Sequence, residues 1–186
     1  MKILDELRKH IQTDEEIERF IVEECEQKTY LKGELLSRQN QFNNAVFFVE
    51  KGLLRTFYFE NGKDITTNFY SEGKIAANIN ALFKNQPPLY NIEAIENTEV
   101  VKCDYQKLEK LFSSSLTAAN FGRYILGNLM VEMSKRIASL QYMSAKAKYA
   151  QLLEENPEII LRVPLGMIAS FLGISQETLS RIRSDI

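Results

Sequence analysis

The segment VPLGMIASFLGISQETLSRIRSDI, Val163 to Ile186, constrains the fold more tightly than any other stretch of this chain. It contains two short amphipathic runs divided by a single glycine. Ile168, Ala169 and Leu172 line the inner face of the first run, with small Ala169 where two helices must approach closely. Gly173 supplies a residue that takes a left-handed backbone without strain, as a tight helix–helix turn requires. Ile174 follows as an apolar plug, and Ser175 can cap the next helix through its hydroxyl. Leu179 and Ile182, three apart, turn back toward the core. Gln176, Glu177, Ser180, Arg181 and, at the far end, Ser184 are left facing outward. A helical hairpin of this kind can set its second helix in the DNA major groove. Similar hairpins occur in folds that never meet DNA, so the outward face carries the argument. An Arg there can bond guanine O6 and N7, and a carboxylate can accept from cytosine N4.

Composition narrows the alternatives. The chain has 186 residues, 45% hydrophobic and 26% charged, enough for one good-sized domain or a domain with a small appendage. No apolar run approaches a bilayer span, and the opening MKILDELRKH lacks a signal-peptide core, so the expectation is a cytoplasmic protein without a membrane partner. Cys25 and Cys103 stand far apart and read as two small buried hydrophobes rather than a disulfide framework or zinc site. His10 is the only histidine, which argues against enzymes that need histidines to converge as metal ligands or bases. No catalytic or metal-ligating set is expected. Net charge is −2, and residues 144–186 carry Lys146, Lys148, Arg162, Arg181 and Arg183 against Glu154, Glu155, Glu158, Glu177 and Asp185. That balance counts against DNA binding, because phosphate neutralisation supplies much of the affinity. It implies modest, salt-sensitive binding, with a dimer doubling the cationic contacts.

Along the chain, residues 1–27 predict helix: Thr13 and Glu16 form a capping box ahead of the stripe Ile17, Phe20, Ile21. From Lys28 to about Tyr105 short β-rich runs alternate with turn signals. Val46 to Val49, Leu53 to Phe59, Asp64 to Tyr70, Ile92 to Ile95 and Val100 to Cys103 predict strands, with Asn61-Gly62 as a hairpin turn. Strands at this spacing predict an antiparallel barrel or double-sheet roll. The Pro-free stretch Ser115 to Met143 predicts one long helix, with Ile125, Leu129, Met133, Ile137 and Leu140 as a seam and Leu116, Ala119, Leu126 and Met130 on another side. Two copies are expected to pair through it. A further helix, Ser144 to Glu155, ends at Asn156-Pro157.

A β-roll, a long helix and a C-terminal helix-turn-helix in that order resemble the Crp/Fnr family of bacterial transcription regulators. The resemblance rests on FFVEKGLLRTFYFENGKDITTNFY (Phe47 to Tyr70), IEAIENTEVVKCDYQKLEKL (Ile92 to Leu111) and the helix pair at Val163 to Ile186. It implies an α+β fold. An N-terminal antiparallel β-roll (a double-stranded β-helix) would span 1–112 as a cyclic-nucleotide-binding-like sensor. A dimerisation helix would follow at 113–143, and a winged-helix-like helix-turn-helix at 144–186. Glu177, Ser180 and Arg181 match the Glu-x-x-Ser-Arg pattern by which the Fnr-like branch reads half-sites. The resemblance implies that Arg181 takes a guanine edge and Glu177 a cytosine, while Ser175, Gln176 and Ser180 contact phosphate or neighbouring bases. Gln176 stands where the cyclic-AMP receptor branch has an Arg. Glu177 has a competing role complementing the helix dipole, and Arg183 reads as a solvated side chain. The given sequence ends at Ile186, so a second wing strand is not expected, and Ile159 to Val163 would supply one strand.

The sensor segment departs from the nucleotide-binding members. Such proteins hold the phosphate with a Gly-Glu segment and a downstream Arg followed by a small hydroxyl residue. Here Ala76, Ala77 and Asn78 occupy the first position, and Pro88, Leu89 and Tyr90 the second. No Arg lies between Arg55 and Arg123. Cyclic AMP is therefore not expected. An iron–sulfur cluster is not expected because the cysteines it needs near the N-terminus are missing, nor haem because a suitable His ligand is lacking, while Lys74 or Lys84 could attract another anion. The expected function is a homodimeric regulator of two-fold DNA sites, with RNA polymerase and an unidentified small-molecule effector as further partners implied by the resemblance. The alternative is a small-molecule or protein-interaction module with a DNA-incompetent tail.

Overall fold

A computed structural model describes Asp5 and residues 15–185. The expected capping residue Thr13, the lone His10 and Ile186 lie outside the described residues. Helix α1 (Glu15–Glu24) stops three residues before the expected end, because the chain turns at Cys25 into strand β1 (Glu26–Tyr30). The other strands are β2 (Leu35–Ser37), β3 (Ala45–Lys51), β4 (Leu54–Glu60), β5 (Lys63–Tyr70), β6 (Ile75–Ala77), β7 (Asn91–Ala94) and β8 (Thr98–Asp104). They form two four-stranded sheets, ordered β1-β8-β3-β6 and β2-β7-β4-β5. In the first, β8 runs antiparallel to both neighbours, Glu26 facing Lys102 on one side and Val46 facing Cys103 on the other.

The apolar run of β3 follows from its position in this sheet. Neighbouring side chains point to opposite faces of a strand, so a strand covered on both sides is apolar throughout. Phe47 and Val49 of β3 join Val100 of β8, Leu36, Leu54, Ile92 and Ala94 in one buried cluster between the strands. Val46, Val101 and Cys103 point the other way, into a second cluster. There they meet Ile17 and Ile21 of α1, Leu108 and Leu111 of helix α3 (Tyr105–Ser114), and Ala118 at the start of the long helix α4 (Leu116–Tyr142). Asp104 caps α3 by accepting from the Gln106 and Lys107 N–H groups at 2.8 and 3.2 Å. A short helix α2 (Ile79–Lys84) lies between β6 and β7.

Two expectations are corrected. Cys25 and Cys103 are not separate thiols: they form a disulfide, with Cα atoms 4.5 Å apart. Their separation of 78 residues concealed the pairing, which follows only once β1 and β8 are aligned. Residues 159–163 do not supply a strand. Pro157 instead starts helix α6 (Pro157–Arg162), its fixed φ suiting a first helical position.

Helix α5 (Ala145–Glu155) precedes α6, and α7 (Leu165–Leu172) and α8 (Gln176–Ser184) complete the chain. The chain divides into two compact units at Thr56/Phe57, Asn68/Phe69 and Gly127/Asn128. The first holds both apolar clusters. The second joins the β4–β5 hairpin tip to the later half of α4 and helices α5 to α8. Among the described residues, no helix is long and apolar enough to cross a membrane.

Candidate nucleic-acid interface

Helices α7 and α8 form the hairpin expected from the C-terminal segment. Gly173 ends α7 at φ 68°, ψ 36°, and its N–H bonds back to the Ala169 and Ser170 carbonyls. The Ile174 N–H reaches the Ala169 carbonyl at 3.0 Å, closing the turn. Ser175 then caps α8, its hydroxyl accepting from the Thr178 N–H at 3.1 Å. Ile168, Ala169, Leu172 and Leu179 are almost fully buried, so both helices bury one face and α8 has a fixed inner side.

The outer side of α8 carries every expected site residue. Ser175, Gln176, Glu177, Ser180 and Arg181 are all exposed, as are Thr178, Arg183 and Ser184. Ser184 is turned inward on its own helix, donating to the Arg181 carbonyl at 2.8 Å. Gln176 lies over α7, where a Cβ at Gly166 would come within 3.2 Å of its Oε1. Glu177 has a local role too. Its own backbone N–H, the Ser175 hydroxyl and the Arg181 charge together hold its carboxyl below the usual carboxylate range. The ionised Glu177 therefore belongs to the helix N-terminus as well as to the outward face.

Two side chains that the sequence did not mark hold α7 in place. Arg136 of α4 donates to the Phe171 carbonyl, and its guanidinium stacks on the Phe171 ring at 4.0 Å from the centroid. Burial lowers the pKa of this guanidinium. The Ser170 hydroxyl accepts from the Thr66 N–H at 2.9 Å and donates to the Asp64 carbonyl at 3.1 Å. One residue of α7 thus grips the β5 backbone while the next is clamped by α4. Neither contact has a sequence signature, since both join segments far apart in the chain.

The long helix presents an apolar stripe that keeps Met133, Ile137 and Leu140 of the expected seam and differs in its first two residues. Ile125 and Leu129 are half-buried, whereas Leu126, Met130, Met133, Ile137 and Leu140 are exposed. These five follow steps of four, three, four and three, the spacing of a coiled-coil contact line.

Within the roll, the segment equivalent to a nucleotide-phosphate site is poor in cations. Ala76 and Asn78 are buried, Pro88 is buried, and Lys74 and Lys84 are exposed. Arg55, 3% exposed, bonds Glu93 across β4 and β7 at 2.6 Å. A phosphate needs a free guanidinium fork or converging N–H donors. The residues around Ala76 to Tyr90 do not fit one. Among the described residues, no group of three His, Cys, Asp or Glu is placed to hold a metal ion.

A two-sheet roll, a long helix and a C-terminal helix-turn-helix follow one another along the chain. Residues 27–115 match the cyclic nucleotide-binding domain family. The transcriptional activator protein FnrA of Stutzerimonas stutzeri is 24% identical over 166 residues, covering 81% of this chain. This chain spans 66% of the length of that relative. Among solved structures, FixK2 from Bradyrhizobium japonicum matches with a TM-score of 0.77 at 20% identity, covering 87% of this chain and 83% of its own. The Thermus thermophilus catabolite activator protein matches with a TM-score of 0.60 at 19% identity, covering 97% and 85%. At these identities the likeness is one of fold.

Proposed function

We propose that the chain is a homodimeric, sequence-specific DNA-binding transcription regulator whose roll does not take cyclic AMP. The observation that carries this reading is the outer face of α8. Ser175, Gln176, Glu177, Ser180 and Arg181 are exposed together on a helix whose opposite face is pinned by the buried Leu179. Arg181 is the guanine reader and Glu177 the cytosine acceptor, while Ser175, Gln176 and Ser180 contact phosphate and adjacent bases. The exposed stripe Leu126, Met130, Met133, Ile137 and Leu140 supports pairing of two copies through α4. Such a pair would set two α8 helices on successive major-groove faces of a two-fold site.

The division of labour follows the order of the chain: sensor roll over 1–112, dimer helix over 113–143, DNA-binding hairpin over 144–186. RNA polymerase and a small-molecule effector are partners of the same reading. The named relative, a transcriptional activator, supports a regulator over an enzyme.

Selection of random duplex DNA against the purified chain, at low and moderate salt, tests this. A two-fold motif is expected, and the double substitution Glu177→Ala with Arg181→Ala should erase it. A motif unchanged by that substitution would overturn the assigned readers. The rival reading, an interaction module with a DNA-incompetent tail, draws on the five cations matched by five anions in 144–186. It predicts no enriched motif at either salt.

A further inference from the structure

We propose that Cys25 and Cys103 form a reversible thiol–disulfide site that takes hydroperoxides as its oxidant, and that the bond clamps α1 onto the central strand β8. The site lies wholly within the first compact unit and does not depend on the DNA-binding reading.

Register places the two cysteines together. Glu26 faces Lys102 in the β1–β8 ladder, so the next rung beyond it pairs residue 25 with residue 103. Their Cα separation of 4.5 Å is that of directly opposed residues in an antiparallel non-hydrogen-bonded pair. Two thiols in this position need no backbone rearrangement to meet. They are also the only cysteines in the chain, so no competing partner exists within it.

Position gives the bond something to report. Cys25 is the junction between α1 and β1, and Cys103 is buried in the cluster shared by α1, α3 and the start of α4. When the bond is closed, the end of α1 is covalently fixed to β8, one residue before the cap of α3 at Asp104. When it is open, α1 is held there only by non-covalent contacts, the apolar packing of Ile17 and Ile21 and the ion pair of Glu24 with Lys107.

The surroundings select the oxidant. Cys25 is half-buried and Cys103 is 1% exposed, so Cys25 meets the reagent first. Glu24 and Glu26 flank Cys25, and their carboxylates lie near Lys107 Nζ at 2.7 Å and Lys102 Nζ at 3.8 Å respectively. With both carboxylates matched by lysines, access rather than charge selects the reagent: beside a half-buried Cys25 and a Cys103 only 1% exposed, a small hydroperoxide fits better than a bulky disulfide. The Cys25 sulfur attacks the peroxide O–O bond, becoming a sulfenic acid as the alcohol or water departs. The Cys103 sulfur then displaces hydroxide from it, which leaves as water with the Cys103 proton. In sum, two thiols and one hydroperoxide yield a disulfide, an alcohol (water from hydrogen peroxide) and water. A dithiol reverses the change by exchange.

The full chain is reduced, freed of reductant and treated with hydrogen peroxide or glutathione disulfide, then analysed by thiol alkylation with mass spectrometry and by hydrogen exchange. Hydrogen peroxide should consume both thiols and leave an intramolecular 25–103 crosslink, restored to thiols by dithiothreitol, and should act faster than glutathione disulfide. Amides of α1 should exchange more slowly in the oxidised state. Cys25→Ser should retain one thiol and lose the redox-dependent change in exchange. Cys103→Ala, an apolar replacement suited to the buried position, should do the same. Over-oxidation without a crosslink, faster reaction with glutathione disulfide, or equal α1 exchange in both states would each overturn the proposal.

Discussion

Gly52 sits where the β3–β4 connection passes against the start of β8, and replacing it with Ala should destabilise the roll severely. Its φ is +100°, and a Cβ built there would lie 2.6 Å from Thr98 Oγ1, 2.7 Å from Thr98 Cα and 2.8 Å from the Asn97 carbonyl oxygen. Two of these atoms are backbone, so no side-chain rotation relieves the clash. Placing an L-residue at positive φ costs about 1–2 kcal/mol. Forcing backbone apart in a packed interior costs roughly 1–3 kcal/mol more. Thr98 is fully buried, and its hydroxyl accepts from the Leu53 N–H at 3.2 Å, a bond that the displacement would stretch at about 1 kcal/mol. The expected total is roughly 3–6 kcal/mol, a large part of the ~5–15 kcal/mol that holds a typical domain together. Gly33 is the internal control. Its φ is +85°, but nothing lies within 4 Å of its Cβ position, so Gly33→Ala carries the conformational cost alone. Part of that cost is offset by the stiffer unfolded chain, leaving about 1 kcal/mol. Chemical denaturation followed by circular dichroism suits both variants, as the chain has no Trp. Equal losses for Gly52→Ala and Gly33→Ala would refute the steric argument.

The Glu177 carboxyl, held below its usual range by its own N–H, the Ser175 hydroxyl and Arg181, makes α8 acid-sensitive. Its contribution to stability is present above the unfolded-state pKa and is lost as pH falls through the lower folded-state value. The stability gap between wild type and Glu177→Gln should therefore shrink on acidification, as read by denaturant midpoints over a pH series. A gap that widens would contradict the sign. Arg136→Lys keeps a charge but loses the planar stack on Phe171, so it should weaken DNA binding almost as much as Arg136→Ala. Full recovery by Lys, measured by fluorescence anisotropy at fixed salt, would reduce Arg136 to a charge.

Much of the architecture was legible because its signals are local. The alternation of β-branched and aromatic runs with turn residues located β3, β4, β5, β7 and β8 nearly to the residue, and Asn61 and Gly62 both adopt the positive φ that their hairpin turn demands. The Gly173 turn and the Ser175 cap were likewise written in adjacent residues, which is why the outer face of α8 could be named in advance. Strand β1 was not legible: four of its five residues are exposed, so EQKTY shows no apolar alternation. Without β1 there was no register, and without register no disulfide. On α4 the expected seam residues Met133, Ile137 and Leu140 are exposed, but Ile125 and Leu129 are half-buried, because apolar residues surround much of the helix and the packing of its own chain selects which remain open. Arg136 and Ser170 escaped notice for the same reason as the cysteines: their partners are distant in sequence.

The adjacency of β1 and β8 bears on how such a roll can be reused. The chain passes into the sheet at Glu26 and out of it at Asp104, on neighbouring strands, with residues 25 and 103 separated by only 4.5 Å between Cα atoms. A module whose doorways lie side by side can be spliced into a host chain in place of a short loop, or have its output exchanged, without stretching either junction. Any segment joined after Asp104 begins from a point already tethered to the roll's own first strand, and a transplant would have to carry α1, α3 and the start of α4 to keep Val46, Val101 and Cys103 covered.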